Sequence, residues 1–320
     1  MTNQNSLVTI FGGSGFLGRH VVRALVQRGW RVRVGVRRPD LAGYLQPLGR
    51  VGQIHAVQAN VRYGESVEAA ASGSVLVINL VGILFQRRRQ RFDAVQADGA
   101  GVVAHAAARA GARLIHVSAI GADPASPSLY AQSKARGEVA VRAEMPTAVI
   151  FRPSIVFGPE DDFFNRFAAL ARVSPALPLI GGGLTRFQPV FVGDVATAIA
   201  KAADGEATPS TTYELGGPEI KTFKELMELV LATIERRRLL VPIPFAVAEL
   251  QAAVLQLMPK PLLTPDQVQL LRRDNVVSAD AERDRRTLQG LGIDPTAMAA
   301  IVPSYLWRFR KTGQFRPRTS

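Results

Sequence analysis

An α/β fold, a parallel sheet with helices on both faces, is predicted for this 320-residue chain by three observations. Short apolar runs alternate with stretches of helical periodicity, the first run breaks into glycines that lead straight into a helix, and the connections are short. Strands are expected at residues 8–11, 31–36, 54–59, 75–81, 114–119 and 148–157, each a β-branched or aliphatic run between turn residues. Between them, residues 17–28 read as a helix stopped by Gly29, 92–110 as a long helix stopped by Gly111, and 130–143 as a third. Beyond Gly158 prolines and glycines become denser, and Ser174-Pro175 and Gly181-Gly182-Gly183 read as loops. The expected division is a nucleotide-binding domain over 1–158, to which a strand and helix around 185–217 return, and a smaller C-terminal substrate or docking lobe over 159–320 with a basic tail.

The first turn reads Gly12-Gly13-Ser14-Gly15-Phe16-Leu17-Gly18. Glycines here let the chain turn tightly, bring bare backbone close to a ligand and aim the next helix's unpaired N–H groups at an anion. Strand, glycine turn and helix together fit the pyrophosphate site of a Rossmann-type doubly wound sheet, with all seven residues expected at the cofactor. A carboxylate after the second strand would accept hydrogen bonds from ribose hydroxyls, but this chain has Arg37 and Arg38, whose forked donors suit a 2′-phosphate. NADP(H) is therefore preferred over NAD(H), the alternative being that both arginines simply face solvent. Asn60 and Val61 are placed to touch the adenine, and Leu80, Val81 and Gly82 to run along the other side of the nucleotide.

Tyr130 and Lys134 stand four apart at the start of a helix, on one face. An ammonium beside a phenol favours phenolate, so the pair suits proton exchange with a substrate hydroxyl during hydride transfer, and the lysine can also hold the nicotinamide ribose.

Composition narrows the field. The chain has no cysteine and four scattered histidines, which removes disulfides and thiolate chemistry and leaves no metal site expected. Residues 1–7 are too few and too polar for a secretory leader, and no 18-residue apolar stretch is present, so a cytoplasmic protein without a transmembrane segment is expected. Net charge is +13, with arginines bunched at 87–89, 236–238 and 308–318. No nucleic-acid-binding motif accompanies them, so nucleic acid is not expected, and a membrane surface or acidic protein ranks above it. Each run taken singly is also explained by a solvated face.

These features resemble the extended short-chain dehydrogenase/reductase superfamily: the glycine loop, Tyr130-Ala131-Gln132-Ser133-Lys134, the 152–159 segment Arg-Pro-Ser-Ile-Val-Phe-Gly-Pro, and Gln188-Pro189-Val190-Phe191-Val192-Gly193-Asp194-Val195. Within it, Asn79-Leu80-Val81-Gly82-Ile83, His116-Val117-Ser118 and the 158–168 segment are similar to the NADPH-binding accessory subunits of respiratory complex I and their bacterial relatives. The resemblance implies a tightly held structural nucleotide, adds Pro153 and Ile155 to the cofactor set, and implies docking on the hydrophilic arm of NADH:quinone oxidoreductase, peripheral on the inner face of the membrane. It also exposes departures. Ala119 stands where active members carry a serine or threonine, with Ser118 one residue off and Ser126 or Ser128 as substitutes from the loop, and Gln96 stands where they carry an asparagine. An active NADP-dependent oxidoreductase or epimerase, linked to ubiquinone biosynthesis, is the alternative.

Residues 245–258 form a predicted helix that is apolar on nearly every side. Core packing is the first expectation for it, and docking to a partner or anionic membrane the second, since arginines lie on both sides. The 305–311 stretch, aromatic and basic, either anchors at a lipid interface or closes the fold.

Overall fold

The computed structural model describes residues 6–258 and 261–313; the basic tail beyond them, with Arg316 and Arg318, and Pro259 lie outside the described residues. The chain divides into two compact units. The first comprises the chain up to Pro153 with Gly193–Leu215 and Ser278–Asp294, and the second Ser154–Val192, Gly216–Val277 and the remainder from Pro295.

The first unit is a seven-stranded parallel sheet. Its strands are β1 (Leu7–Phe11), β2 (Arg31–Val36), β3 (Ile54–Gln58), β4 (Leu76–Asn79), β5 (Arg113–Val117), β6 (Val149–Pro153) and Thr212–Leu215. The spatial order is Thr212–Leu215, β6, β5, β4, β1, β2, β3. The chain winds outward from β1 to β3, returns and winds outward again from β4, so β1 and β4 flank the switch point where open α/β sheets bind ligands. Helices α1 (Phe16–Gln27), α2 (Gly64–Ala71), α3 (Asp98–Arg109), α4 (Leu129–Glu144) and Val192–Ala203 accompany the sheet. Both faces of the central strands are covered, which is why Val8, Ile10, Leu76, Val77 and Ile78 are fully buried and read as unbroken apolar runs. The doubly wound α/β fold expected from the sequence is the one found.

Several expected elements end elsewhere, for local reasons. The fourth strand stops at Asn79 rather than 81, because the Val81 N–H turns aside to the Asn79 side-chain oxygen at 3.1 Å. The sixth stops at Pro153, and Val156–Phe157 starts a separate pair with Val190–Phe191, since Ser154 breaks the run by donating to Asn275 Oδ1 at 2.6 Å. The 92–110 helix opens with a π-helical turn at Asp93–Ala97. The eight-residue α2 and the 3-10 run Pro39–Leu48 were not anticipated: α2 is too short to show a period, and two prolines and a glycine give the 3-10 run the composition of a loop.

One ion-pair network ties the first unit together. Arg152 on β6 makes a two-pronged bond to Glu138 on α4, at 2.8 and 2.6 Å, and reaches Glu214 on the outer strand at 3.6 Å. Glu214 also accepts the Ser278 N–H at 2.8 Å, which fastens the returning segment.

The second unit packs Phe163–Val173, Phe223–Thr233 and Met298–Leu306 around phenylalanines 157, 163, 164, 167, 187 and 223. Tyr305 donates to the buried Asp161 carboxylate at 2.6 Å. Arg236 and Arg310 donate to the carbonyls of Phe309 and Thr233, and Arg308 to the Asn165 side chain, so the 305–310 stretch closes this fold. The parallel pair Ala176–Ile180 with Leu239–Ile243 leads to the helix Phe245–Leu255. Here the core-packing expectation fails. The helix packs on Pro265–Leu270 and, through Phe245, on Gly181, buries only Ala248 and Ala252, and leaves Val247, Leu250 and Val254 exposed.

Removing the Glu138 carboxylate leaves Arg152 desolvated with only the weaker Glu214 contact. Glu138→Ala is expected to cost about 1–3 kcal/mol, read as a lower urea midpoint at unchanged slope.

Candidate functional site

Every parallel strand of the first unit delivers its C-terminal end to one edge, and all but one of the residues expected at a cofactor lie there. Gly12-Gly13-Ser14-Gly15 form the turn between β1 and α1, and Phe16, Leu17 and Gly18 the first helical turn. Gly12 needs its glycine: φ is +82°, and a Cβ would lie 3.0 Å from the Leu80 carbonyl carbon. At Gly18 a Cβ would lie 2.3 Å from the Gly12 oxygen, so the helix sits directly on the turn. Gly15 begins α1 without a side-chain cap, and a Cβ there would meet nothing closer than the Gly12 oxygen at 3.3 Å. First-turn N–H groups have no acceptor within a helix, and this uncapped end is built to offer them to an anion.

After β2, Arg37 and Arg38 are both exposed. Arg38 grips Asp40 with two bonds at 3.0 and 2.6 Å, which holds its own pKa up and that of Asp40 down. Arg37 makes no such pair. Together with Ser14, Val36, Leu41, Ala42 and Tyr44 they line a cleft of about 490 Å³. Tyr44 donates its hydroxyl to the Ser14 carbonyl, and the Arg19 guanidinium stacks over its ring at 5.3 Å. Sequence reasoning missed Tyr44, which no motif marks in its proline-containing run. It also missed Arg19, although a basic residue next to Gly18 was a usable signal.

Asn60 and Val61 follow β3, but Val61 is buried in the core against Gly99, and the Asn60 side chain accepts the Arg62 N–H at 3.2 Å, so the turn presents mainly backbone. Leu80, Val81 and Gly82 follow β4, partly or fully accessible. A Cβ on Gly82 would lie 3.5 Å from Lys134 Nζ, which brings the two sides of the edge together. Pro153 ends β6, and its carbonyl accepts the Ile120 N–H. Ile155 belongs to the second unit, where it packs on the phenylalanine cluster.

Tyr130 and Lys134 share a face of α4, with the ammonium 6.0 Å from the ring centroid. Phe92 packs edge-on against the same ring. Lys134 is buried and donates to the Val117 carbonyl at 3.3 Å; burial pushes its pKa down to about 8, against a smaller upward pull from Glu138. Gln96, in the π-helical turn, accepts the Ile83 N–H at 2.9 Å and donates to Ser133 at 2.8 Å, so it bridges the β4 loop and α4. Such turns recur at functional sites. Ser118 is buried, and its Oγ has no hydrogen-bond partner among the described residues. The substitutes proposed from the loop are already engaged: Ser126 accepts the Ser128 N–H, and Ser128 caps α4 by accepting from Ala131. Beneath the edge, Asn79 Nδ2 meets His116 Nδ1 at 3.2 Å. No helix is long and apolar enough to cross a membrane, and no cluster that could hold a metal is found among the described residues.

With this geometry in place, comparison with known proteins is informative. The model of the NAD dependent epimerase/dehydratase family matches residues 8–216. A mitochondrial protein of Arabidopsis thaliana, NADH dehydrogenase [ubiquinone] 1 alpha subcomplex subunit 9, is 35% identical over 96% of this chain and 79% of its own. The ceramide reductase of Caulobacter vibrioides is 39% identical over 62% of this chain and 61% of its own. Among solved structures, the NADPH-dependent quinone oxidoreductase QOR2 of Escherichia coli, complexed with NADPH, superposes with a TM-score of 0.72 at 20% identity, covering 94% of this chain and 99% of that one.

Burial, helped by the charges of Lys134 and Arg142, pushes His116 down to about 3, so it stays neutral in the folded protein. The unfolded chain takes up that proton near pH 6.5; the stability from this difference is complete above pH 6.5 and is lost progressively as pH falls toward 3. Between pH 7 and pH 5 the native protein is expected to lose about 2 kcal/mol more than His116→Gln, measured by urea unfolding at both values.

Proposed function

The chain belongs to the NAD dependent epimerase/dehydratase family, of the extended short-chain dehydrogenase/reductase type, and from that premise we propose that it is an accessory or assembly factor of NADH:quinone oxidoreductase that holds NADP(H) as a structural ligand. The observation that carries this reading is a cofactor cradle left complete beside a proton-relay site short of one donor. The backbone fits the pyrophosphate: Gly12 and Gly18 close the turn so tightly that a Cβ would fill it, and the uncapped start of α1 favours negative charge. Arg37, with Arg38 beside it in the cleft that Tyr44 also lines, would hold a 2′-phosphate by charge-assisted bonds. The QOR2 fold holding NADPH is consistent with that assignment. Similarity along nearly the whole chain to a complex I subunit of a plant supports the partner, and a place at the inner membrane face follows from that partner.

Bound NADPH supplies a hydride, and the chain supplies the surroundings. Lys134, ammonium below about pH 8, would hold the nicotinamide ribose and favour the Tyr130 phenolate. Ala119 offers no side-chain donor to a substrate oxygen, and Ser126 and Ser128 are held at the α4 N-terminus by the backbone N–H bonds they accept. Loss of one aimed donor costs on the order of a hundredfold in turnover. An alternative is an NADP-dependent reductase, favoured by the intact Tyr130/Lys134 pair and by the likeness to the Caulobacter ceramide reductase; Tyr130 would then give its proton to the reduced carbonyl oxygen.

The purified protein is expected to carry about one NADPH per chain, which added carbonyl compounds do not oxidise, and to co-migrate with complex I in native gels of solubilised membranes. Steady turnover that disappears in Tyr130→Phe, without co-migration, would establish the reductase instead. Arg37→Asp is expected to weaken NADPH binding at least about tenfold and to leave NADH affinity nearly unchanged, measured by fluorescence titration.

A further inference from the structure

The second unit carries an apolar face that its own fold does not use. Among the described residues, nineteen large hydrophobic side chains are exposed, and eight of them fall between Leu239 and Leu262. Their concentration in so short a stretch separates this surface from the single exposed hydrophobics that any protein shows. The helix Phe245–Leu255 turns Ala248 and Ala252 toward Pro265–Leu270, and Val247, Leu250 and Val254 away from it, at helical spacing. Leu250 is 72% exposed, Val254 65%, and Leu257 in the following turn 82%. The one carboxylate on the helix, Glu249, is neutralised by Arg272 at 2.8 Å and accepts from Gln269 at 2.9 Å; Arg272 also stacks on Phe245 at 4.4 Å.

Charge sets the kind of surface that would cover this face. Across residues 236–273 the sequence carries six basic side chains and two acidic ones. Arg238 is anchored at the base of the patch by its bond to the Ala171 carbonyl, next to the exposed Arg172 and Val173, with Arg237 exposed beside it. The exposed side chains of the patch are leucine, valine and methionine, and exposed Arg172 and Arg237 lie beside its base. An apolar face with an excess of basic side chains beside it is complementary to an anionic bilayer, whose phosphates attract guanidinium groups near the surface.

We propose that Phe245–Leu255 and the turn after it form a membrane-surface anchor that docks this protein on anionic phospholipid without crossing the bilayer. The anchor serves complex I attachment or a lipid-level reductase equally, and it stands whether or not the nucleotide cradle works as proposed.

The full-length protein, mixed with phosphatidylcholine vesicles with and without phosphatidylglycerol, tests it. The native chain is expected to co-sediment with the anionic vesicles, less with neutral ones, and Leu250→Glu with Val254→Glu to lower partitioning at least about tenfold. Because the chain has no cysteine, Gln251→Cys carrying an environment-sensitive dye gives a second readout: a blue shift on anionic vesicles, absent for the same dye at Glu228→Cys. Failure of the native chain to sediment with anionic vesicles, unchanged partitioning of the double variant, or an unshifted dye at position 251 would overturn the proposal. So would a native dimer that the double variant converts to monomer, since a second copy would then be what covers the face.

Discussion

The structure of the first unit depends on how closely the start of α1 approaches the end of β1. Gly18 lies against the Gly12 carbonyl with no room for a methyl group, and Gly12 in turn lies against Leu80 at the end of β4. One backbone crossing thus fixes three elements at the switch point of the sheet. The consequence is electrostatic as well as steric: a helix terminus without a side-chain cap is pinned where the parallel strands open, and the partial positive charge of its N–H groups has no internal acceptor. Arg19 stacks on Tyr44 at the edge of the adjoining cleft, while Arg38 is balanced by Asp40 and, among the described residues, no ion pair is found for Arg37.

Chemistry on the far side of the same edge is arranged for rigidity. Asn79 turns the chain after β4 and holds His116; Gln96 joins that turn to α4; Lys134 reaches back to the end of β5. Each polar group is used to position another element, and burial keeps His116 neutral and lowers the affinity of Lys134 for its proton. A satisfied buried network of this kind specifies one geometry at the expense of freedom. Among the described residues, the Ser118 hydroxyl and His116 Nε2 are left in it without a hydrogen-bond partner.

What could be read in the sequence follows from the range of the forces involved. The glycine turn, the parallel strands and the Tyr130/Lys134 spacing are local patterns, and all were legible. The ends of the fourth and sixth strands were not, because Asn79 and Ser154 decide them through side-chain bonds that no periodicity records. The short α2 and the Pro39–Leu48 run that carries Tyr44 were hidden for a related reason: too few residues, or too many prolines, to show a period. The roles of Arg236 and Arg308 were hidden by the opposite problem. A charge run looks solvated until its carbonyl and amide partners, Phe309 and Asn165, are brought in from distant segments.

The helix Phe245–Leu255 shows where composition misleads most. An apolar segment is assigned to a core because burial of a leucine or valine side chain is worth about 1.5–3 kcal/mol, yet that value is realised only if the fold supplies a surface to bury it against. Here the helix packs mainly on one short helix, which takes the two alanines, the side chains with least to gain. Val247, Leu250 and Val254 are left in water, so they contribute little to the stability of the unit that carries them. Their value lies outside the chain, in whatever removes them from solvent. Since the glycine turn belongs to the first unit and this face to the second, the two features are chemically separable: one rests on backbone contacts at Gly12 and Gly18, the other on the aliphatic row from Val247 to Leu257.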